Sequence, residues 1–525
     1  MRNFHLPGRS AVLATNGMCA TSHPLAAKTA VDVLERGGNA MDAAIAGAVI
    51  LGLCEPQMTG IGGDCFVLFN APGDHEVQCY NGSGQAPGAI SADAMRAAGH
   101  ATVPVNGPGA VTVPGAMDAF CRLSETHGKL GLDALLEPSI RYADEGIPVA
   151  PRVAYDWPAD GACLTGHGIT HYSKGGAPFG AGDMFRAPGQ AEVLRRVAKH
   201  GRDAFYIGEV AEDMLAALTE VGGVHTAEDF AATQGRPTSP VSGTYKGVEL
   251  LEHPPNGQGA TAVLLLNILK QFDLAAMDPL GAERAHIEAE ATKLAYDARN
   301  RIIGDPDHSA RVAFMLSQDT ADKLASLIDP GKAMDDPAPL TEAYHKDTIN
   351  IIVVDKDRMA VSMIYSIFHG FGSGIASEKF GILMHNRGAA FNLTPGHPNE
   401  IGPGKRPMHT IIPGMLRRGS RITMPFGVMG GQYQSTGHAR FVTNIEDFGM
   451  TPQAAIDAPR CFAETGELQI EKGYPEGVRA QLADMGHNVV LRERPLGGAQ
   501  AIMIHDDGIL EGGSDPRKDG CALGY

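Results

Sequence analysis

Thr348-Ile349-Asn350-Ile351-Ile352-Val353-Val354 is the stretch on which the reading of this chain turns. A polar, loop-like run, Tyr344-His345-Lys346-Asp347, comes before it. Asp355-Lys356-Asp357-Arg358 then turns the chain into a second strand-like run, Ala360 to Phe368. Read alone, the pattern is a β-hairpin with a threonine at its edge, and threonine is common in strands. Such a threonine becomes a nucleophile only if the Asp347–Thr348 peptide bond is cut. Its freed α-amino group can then act as general base for its own hydroxyl.

Outward from the hairpin, the composition is that of a globular protein. The chain has 525 residues, 43% hydrophobic and 20% charged, enough for a large core or for two to four ordinary domains. Its net charge of −17 comes without a long basic run, which argues against nucleic acid, because phosphate contacts need clustered cations. The N-terminal residues lack the apolar core of a signal peptide. The most apolar stretch, Ala43 to Cys54, is too short to span a bilayer. The eight cysteines show no CxxC pair and no framework-like spacing, so Cys54 and Cys65 read as buried thiols. A cytoplasmic location is expected, with neither membrane nor nucleic acid as partner.

Glycine (66 residues) and proline (34) are scattered rather than clustered, which predicts many tight turns. The first third opens with two helices. One follows Ser22-His23-Pro24 and stops at Gly37-Gly38; the next is capped by Asn39 and is almost wholly apolar. The glycine loop Gly60–Gly63, with Asp64, leads into the strand Cys65–Phe69. Helical text dominates from about 115 to 235 and from 258 to 303, most clearly over Thr261–Phe272 and Ala282–Ile302. Beyond residue 348 the text turns to strands: Ile349–Val354, Ala360–Phe368, Gly381–Met384 and His409–Leu416. A single clear helix, Pro452–Ala458, follows. This distribution predicts an α+β fold of layers with stacked sheets.

No GxSxG elbow, HExxH, P-loop or complete GxGxxG is present, which weakens esterase, metalloprotease, nucleotidase and dehydrogenase readings. The glycine-rich turns at 60–63, 370–374 and 427–431 read first as tight turns. The pair Gly430-Gly431 stands out, since adjacent glycines after an apolar run can aim two backbone N–H groups at one point, as an oxyanion hole requires. The twenty histidines form no ligand cluster by spacing; His409 beside Thr410 is a candidate site pair.

Several of these pieces, in order along the chain, resemble the γ-glutamyltransferase family. They are Gly37-Gly38-Asn39-Ala40-Met41-Asp42-Ala43-Ala44, Gly60-Ile61-Gly62-Gly63-Asp64, Val113-Pro114-Gly115-Ala116, Phe371-Gly372-Ser373-Gly374, Gly402-Pro403-Gly404-Lys405-Arg406-Pro407 and Ser514-Asp515-Pro516-Arg517. The resemblance implies an N-terminal nucleophile hydrolase, an αββα sandwich made as a proenzyme that cuts itself between Asp347 and Thr348. Segments 1–347 and 348–525 would then stay together as a heterodimer, or as a higher oligomer. It places the nucleophile on Thr348, the partner of its hydroxyl on Ser366 and the oxyanion-hole glycines on Gly430 and Gly431. No metal or organic cofactor is implied.

The chain departs from the family at the glutamyl pocket. The arginine that holds the substrate α-carboxylate is Ser83 here, and the acidic residue that holds the α-ammonium is Ala390. The paired serines after "KRP" are His409 and Thr410, and a pocket asparagine is Phe368. A glutamyl head is a zwitterion, and each lost charge-assisted bond is worth about 1.5–3 kcal/mol. The pocket gains Arg387, whose planar fork suits a carboxylate, and a neutral-to-cationic His409. Arg387 as a structural ion-pair residue is the bland alternative. The text "NGSG…AP", Pro254–Gly259 and "NRGAAF" is most similar to the branch that includes oxamate amidohydrolase. The expected activity is hydrolysis of a small carboxylate-bearing amide through an acyl-enzyme. Alternatives are a glutathione hydrolase or γ-glutamyltransferase, an acylase of a larger amide, and a non-catalytic scaffold in which Thr348 is never freed.

Overall fold

A computed structural model describes residues 8–335 and 348–525. Two seven-stranded sheets lie face to face, with helices on both outer sides, so the α+β expectation resolves into an αββα sandwich. The sheet that carries the strand after Thr348 runs in the order Cys521–Gly524, Met18–Thr21, Ile349–Val354, Ala360–Ser366, Asp64–Asn70, Gln78–Gly82 and Arg236–Thr238. The other runs Val12–Ala14, Leu510–Ser514, Gly498–Ile504, Arg421–Met429, Pro413–Arg418, Val248–Glu252 and Val241–Tyr245. Both sheets mix strands from before and after Thr348.

Strand periodicity explains the layers. The three central strands 64–70, 349–354 and 360–366 are buried along their whole length, as strands covered on both faces must be. Their register pairs Ile351 with Met363 and Met363 with Val67. Those residues face outward into the largest core, against the helices Pro24–Glu35 and Ala40–Cys54. The alternate residues Ile352, Ile364, Phe66 and Leu68 face the second sheet. Packing there is tight. Gly427 opposes Asn350 so closely that a Cβ would stand 1.5 Å from the Asn350 amide nitrogen. A second helix layer, Gly259–Leu269, Ala282–Ile302 and Gln434–Glu446, covers the far side of the second sheet.

Helix starts follow their capping residues. Asn39 and Asp42 form a reciprocal capping box at the head of Ala40–Cys54. At Pro24–Glu35 it is the His23 ring, not Ser22, that accepts the Leu25 N–H. Among the described residues no helix is long and apolar enough to cross a membrane.

Three sequence expectations fail. Gly381–Met384 is not a sheet strand: it folds back on residues 373–377, with Ser373 N–H bonded to Met384 O and Ser377 N–H to Ile382 O. The strand expected over His409–Leu416 begins only at Pro413, because the His409 N–H is bonded to Asn256 O in a separate bridge. The last third holds three helices instead of one: Gln434–Glu446, Pro452–Asp457 and Glu476–Asp484. The first of these buries Gln434, Ser435, Thr436, His438, Arg440, Thr443 and Asn444. With Ala439, Phe441 and Val442 buried as well, it is enclosed on every side from Gln434 to Asn444, and no apolar stripe marks it in the sequence.

Candidate active site

The ends of adjacent strands build the site. Continuing the ladder one step beyond Ile349–Tyr365 sets Thr348 opposite Ser366, and Ser366 pairs with Asp64. Ser83 follows Gly82, the partner of Cys65, and so lies next to Asp64 in turn. One row across four strands thus reads Thr348, Ser366, Asp64, Ser83, all facing the gap between the sheets. The two hydroxyls meet, Thr348 Oγ1 lying 3.3 Å from Ser366 Oγ, and the Phe368 N–H donates to Ser366 Oγ at 2.9 Å. Thr348 is 1% exposed. Asp347 lies outside the described residues.

From the opposite sheet, strand Arg421–Met429 delivers the glycine pair. Gly430 has φ +114° and Gly431 φ +56°, a left-handed geometry that side chains resist. A Cβ on Gly430 would also stand 2.7 Å from Gly497 Cα. Gln258 fixes the peptide that follows, since its Nε2 donates to both Gly431 O (3.3 Å) and Thr410 O (2.7 Å), while Arg299 Nη1 donates to its Oε1 at 2.8 Å. No turn, cap or loop hydrogen bond among the described residues uses the Gly430 or Gly431 N–H. Two such N–H groups can receive developing negative charge on an acyl oxygen.

Arg387 opens the short 3₁₀ turn Arg387–Ala390 and is fully buried. Its guanidinium lies 4.2 Å from the centre of the Phe368 ring, a stacked cation–π contact. Phe368 itself has φ +81°, strained backbone for a bulky residue and of the kind found at functional sites. Nη1 donates to Thr410 Oγ1 at 3.4 Å, whereas Nε and Nη2 are buried without a hydrogen-bond partner. Burial pulls the Arg387 pKa down to about 9 against the attraction of Asp64, so the group is cationic at neutral pH.

Behind it sit residues the sequence reading passed over. Asp64 appeared only as the end of a glycine loop, and His385 not at all. Asp64 Oδ1 accepts the Gly84 and Gly115 N–H groups, each at 3.0 Å. Its Oδ2 lies 3.2 Å from His409 Nε2 and 3.4 Å from His385 Nδ1, without a well-aligned hydrogen bond to either. Burial raises the Asp64 pKa, whereas His385 and His409, to the extent that they are protonated, and Arg387 pull it down. His409 corrects an expectation. Burial first, then Arg387, lower its pKa to about 3, so the ring is neutral. Its Nε2 also lies 2.8 Å from Ser83 Oγ, which takes a further bond from Asn256 Nδ2 at 3.1 Å. Ser83, His409, Thr410 and Arg387 are therefore brought together, beside Thr348 and Ser366 in the row across the sheet. The sequence signal for Asp64 is a charge at the mouth of an otherwise apolar strand; for His385 it is only adjacency to Asn386-Arg387.

Sequence spacing gave no histidine cluster, but the fold makes one. Among the described residues His286, Glu290 and His487 bring ligand-type atoms within 4.8 Å of one another. Their donors and acceptors are already engaged: His286 bonds His487 and Asp329 O, and Glu290 bonds Lys293 and the Met334 N–H. The group clasps the segment 329–334 to helix Ala282–Ile302.

A threonine heading a buried strand of an αββα sandwich, with a hydroxyl beside it and a glycine pair opposite, defines an N-terminal nucleophile hydrolase. The model of the family described as Gamma-glutamyltranspeptidase matches residues 26–525, and the chain belongs to that family. It is 34% identical to the glutathione hydrolase-like YwrD proenzyme of Bacillus subtilis, over 98% of this chain and 99% of that protein. To the oxamate amidohydrolase proenzyme of Klebsiella pneumoniae it is 33% identical, over 98% and 100%. The crystal structure of cephalosporin acylase from Bacillus halodurans superposes with a TM-score of 0.92 at 37% identity, covering 100% of this chain and 99% of that one.

Proposed function

We propose that the protein is an autoprocessing N-terminal-threonine amidohydrolase that hydrolyses a small carboxylate-bearing amide such as oxamate. One observation carries this reading: the buried Arg387 fork, stacked on Phe368, with Nε and Nη2 unpartnered. A buried cation with idle donors is costly unless something pairs with it. A carboxylate takes two parallel N–H bonds from such a fork. Ser83 and Ala390, standing where the family's charged glutamyl clamps would be, give a zwitterionic glutamyl head nothing to hold.

In maturation, Thr348 Oγ attacks the Asp347 carbonyl carbon, and the ester formed is opened by water, leaving segments 1–347 and 348–525 associated. In turnover the freed Thr348 amine takes the hydroxyl proton as Oγ attacks the substrate amide, with Ser366 orienting that hydroxyl. The Gly430 and Gly431 N–H groups stabilise the oxyanion. The C–N bond then breaks, the amine returns its proton to the leaving nitrogen, and ammonia departs. Water, deprotonated by the same amine, attacks the ester carbonyl and frees the acid. Arg387 holds the substrate carboxylate, with Thr410, His409 and Ser83 completing the pocket.

The named activity of the Klebsiella relative supports a small amide. The whole-chain likeness to an acylase favours, as a second reading, a larger acid-bearing amide on the same machinery. The eight free thiols suit a reducing compartment, and we propose a cytoplasmic location on that ground. The test is an ammonia-release screen of the processed enzyme over oxamate, longer ω-carboxyl amides and glutathione. Turnover of glutathione, with none of any simple carboxyl amide, overturns the reading.

A further inference from the structure

Asp64 Oδ2, His385 Nδ1 and His409 Nε2 converge beside Arg387, and their hydrogens can be placed from their partners. His385 Nε2 lies 2.7 Å from the Thr112 carbonyl oxygen. A carbonyl only accepts, so Nε2 carries the proton and a neutral His385 leaves Nδ1 bare. His409 is neutral and has one proton; its Nε2 hydrogen-bonds Ser83 Oγ at 2.8 Å and only approaches Asp64 Oδ2, at 3.2 Å. Nothing then lies between Asp64 Oδ2 and His385 Nδ1. A carboxylate oxygen faces a ring lone pair across 3.4 Å, and neither atom has a hydrogen-bond partner. The cluster is one proton short.

Four groups bear on that missing proton. Asp64, at the mouth of its strand, attracts it; Arg387, two residues along the same loop, repels it; His409, from the segment before Pro413, and His225 also act on the same ring. Burial opposes any net charge. With the pocket empty, Arg387 and Asp64 cancel. A substrate carboxylate on Arg387 would leave the enclosed site with one uncompensated negative charge, and would also neutralise the group that keeps the proton away.

We propose that His385 is a specificity-determining residue that stores this proton: a substrate carboxylate docks on Arg387 together with one proton, which settles on His385 Nδ1 against Asp64. The inference rests on the carboxylate role of Arg387 and adds the charge rule of the site. A monoanion brings the proton that completes the cluster, whereas a zwitterion brings no net charge and draws none. Proton and carboxylate bind cooperatively by linkage. Affinity for the anion therefore falls by up to about tenfold per pH unit once pH exceeds the pKa of His385 in the complex.

The experiment is calorimetric titration of the processed wild-type enzyme in two buffers of different ionisation enthalpy. The ligands are pyruvate, which replaces the oxamate amide nitrogen by a methyl group, and the longer keto acid levulinate. The expected result at neutral pH is uptake approaching one proton. His385→Gln, whose amide can still donate to Thr112 O, should bind more weakly and take up none. Asp64→Asn, which keeps the Oδ1 acceptor for Gly84 and Gly115, should also lose the uptake. Wild-type binding without proton uptake overturns the proposal and leaves the carboxylate reading standing, as does full uptake by His385→Gln. Failure of both ligands to bind, or unchanged binding by Arg387→Ala, overturns the carboxylate reading and this proposal with it. Where a variant does not fold, the wild-type measurement decides alone.

Discussion

Thr348 and Ser366 face each other across a single antiparallel ladder, hydroxyl to hydroxyl at 3.3 Å. The strand pairing sets that distance, since Ser366 ends the strand that follows the nucleophile strand. The hairpin therefore positions the Thr348 hydroxyl, the proposed nucleophile, and Ser366 is held in turn by the Phe368 N–H.

Replacing the nucleophile separates maturation from folding. Thr348→Ala should remain a full-length chain of 55.2 kDa, folded and inactive, as read by intact mass and circular dichroism. Wild type should show a fragment beginning at Thr348. A processed or active Thr348→Ala protein would remove the assignment.

Ser366→Ala removes the hydroxyl that meets Thr348 Oγ1 and accepts the Phe368 N–H. A neutral hydrogen bond is worth about 0.5–1.5 kcal/mol, so turnover should drop by roughly threefold to tenfold. KM should change little. Single-turnover kinetics, with acylation resolved, measures this directly.

At the glycine pair the effect should be larger. Gly431→Val places a β-branched side chain at φ +56° and displaces an oxyanion donor, a loss worth about a hundredfold or more in turnover. The comparison is to be made on protein that has already processed, with kcat and KM measured separately. Near-normal kcat would exclude these N–H groups from the oxyanion site.

Arg387→Ala should raise KM for a carboxyl amide by roughly tenfold to over a hundredfold, from about 1.5–3 kcal/mol for a charge-assisted bond. Arg387→Lys should restore little, because a point charge cannot make the two parallel bonds of the fork. Self-cleavage needs no free carboxylate and should survive both changes.

Stability should fall as the solution is acidified. Burial lowers the His253 pKa to about 4 and those of His409 and His438 to about 3, all below the ordinary 6.5. Below pH 6.5 the unfolded chain binds protons that the native chain refuses, so unfolding gains ground as pH drops from 6.5 towards these folded values. Each ring contributes up to about 1.4 kcal/mol per pH unit in that window. Thermal unfolding midpoints between pH 7 and 4.5 should decline steadily; a flat profile would mean these rings protonate in place.

Local pattern made part of this legible. The hairpin at 348–366, helix Ala282–Ile302 and the Asn39 cap each depend on neighbours in sequence, and each lies within a residue or two of where the text places it. The site is different. Asp64, His385, Arg387 and His409 come from positions more than three hundred residues apart at the extremes and meet only because one strand pairs with another. Asp64 shares its row with Ser366 through the sheet register, which no local period encodes. Helix Gln434–Glu446 shows no such period either, because it is buried on every side and most of what it buries is polar.

The mixing of strands from both segments within each sheet sets the terms on which two product chains would coexist. Strand Met18–Thr21 is sandwiched between Ile349–Val354 and Cys521–Gly524, and Val248–Glu252 is bonded to Pro413–Arg418. A cut before Thr348 would sever one covalent link and no ladder. The resulting pair would have no rubbing face along which to slide apart, and parting them would mean melting both sheets. Dilution, which dissociates ordinary complexes by mass action, should leave such a pair whole. Two separately made halves would have to learn their shape from each other, as warp and weft thrown on the loom together.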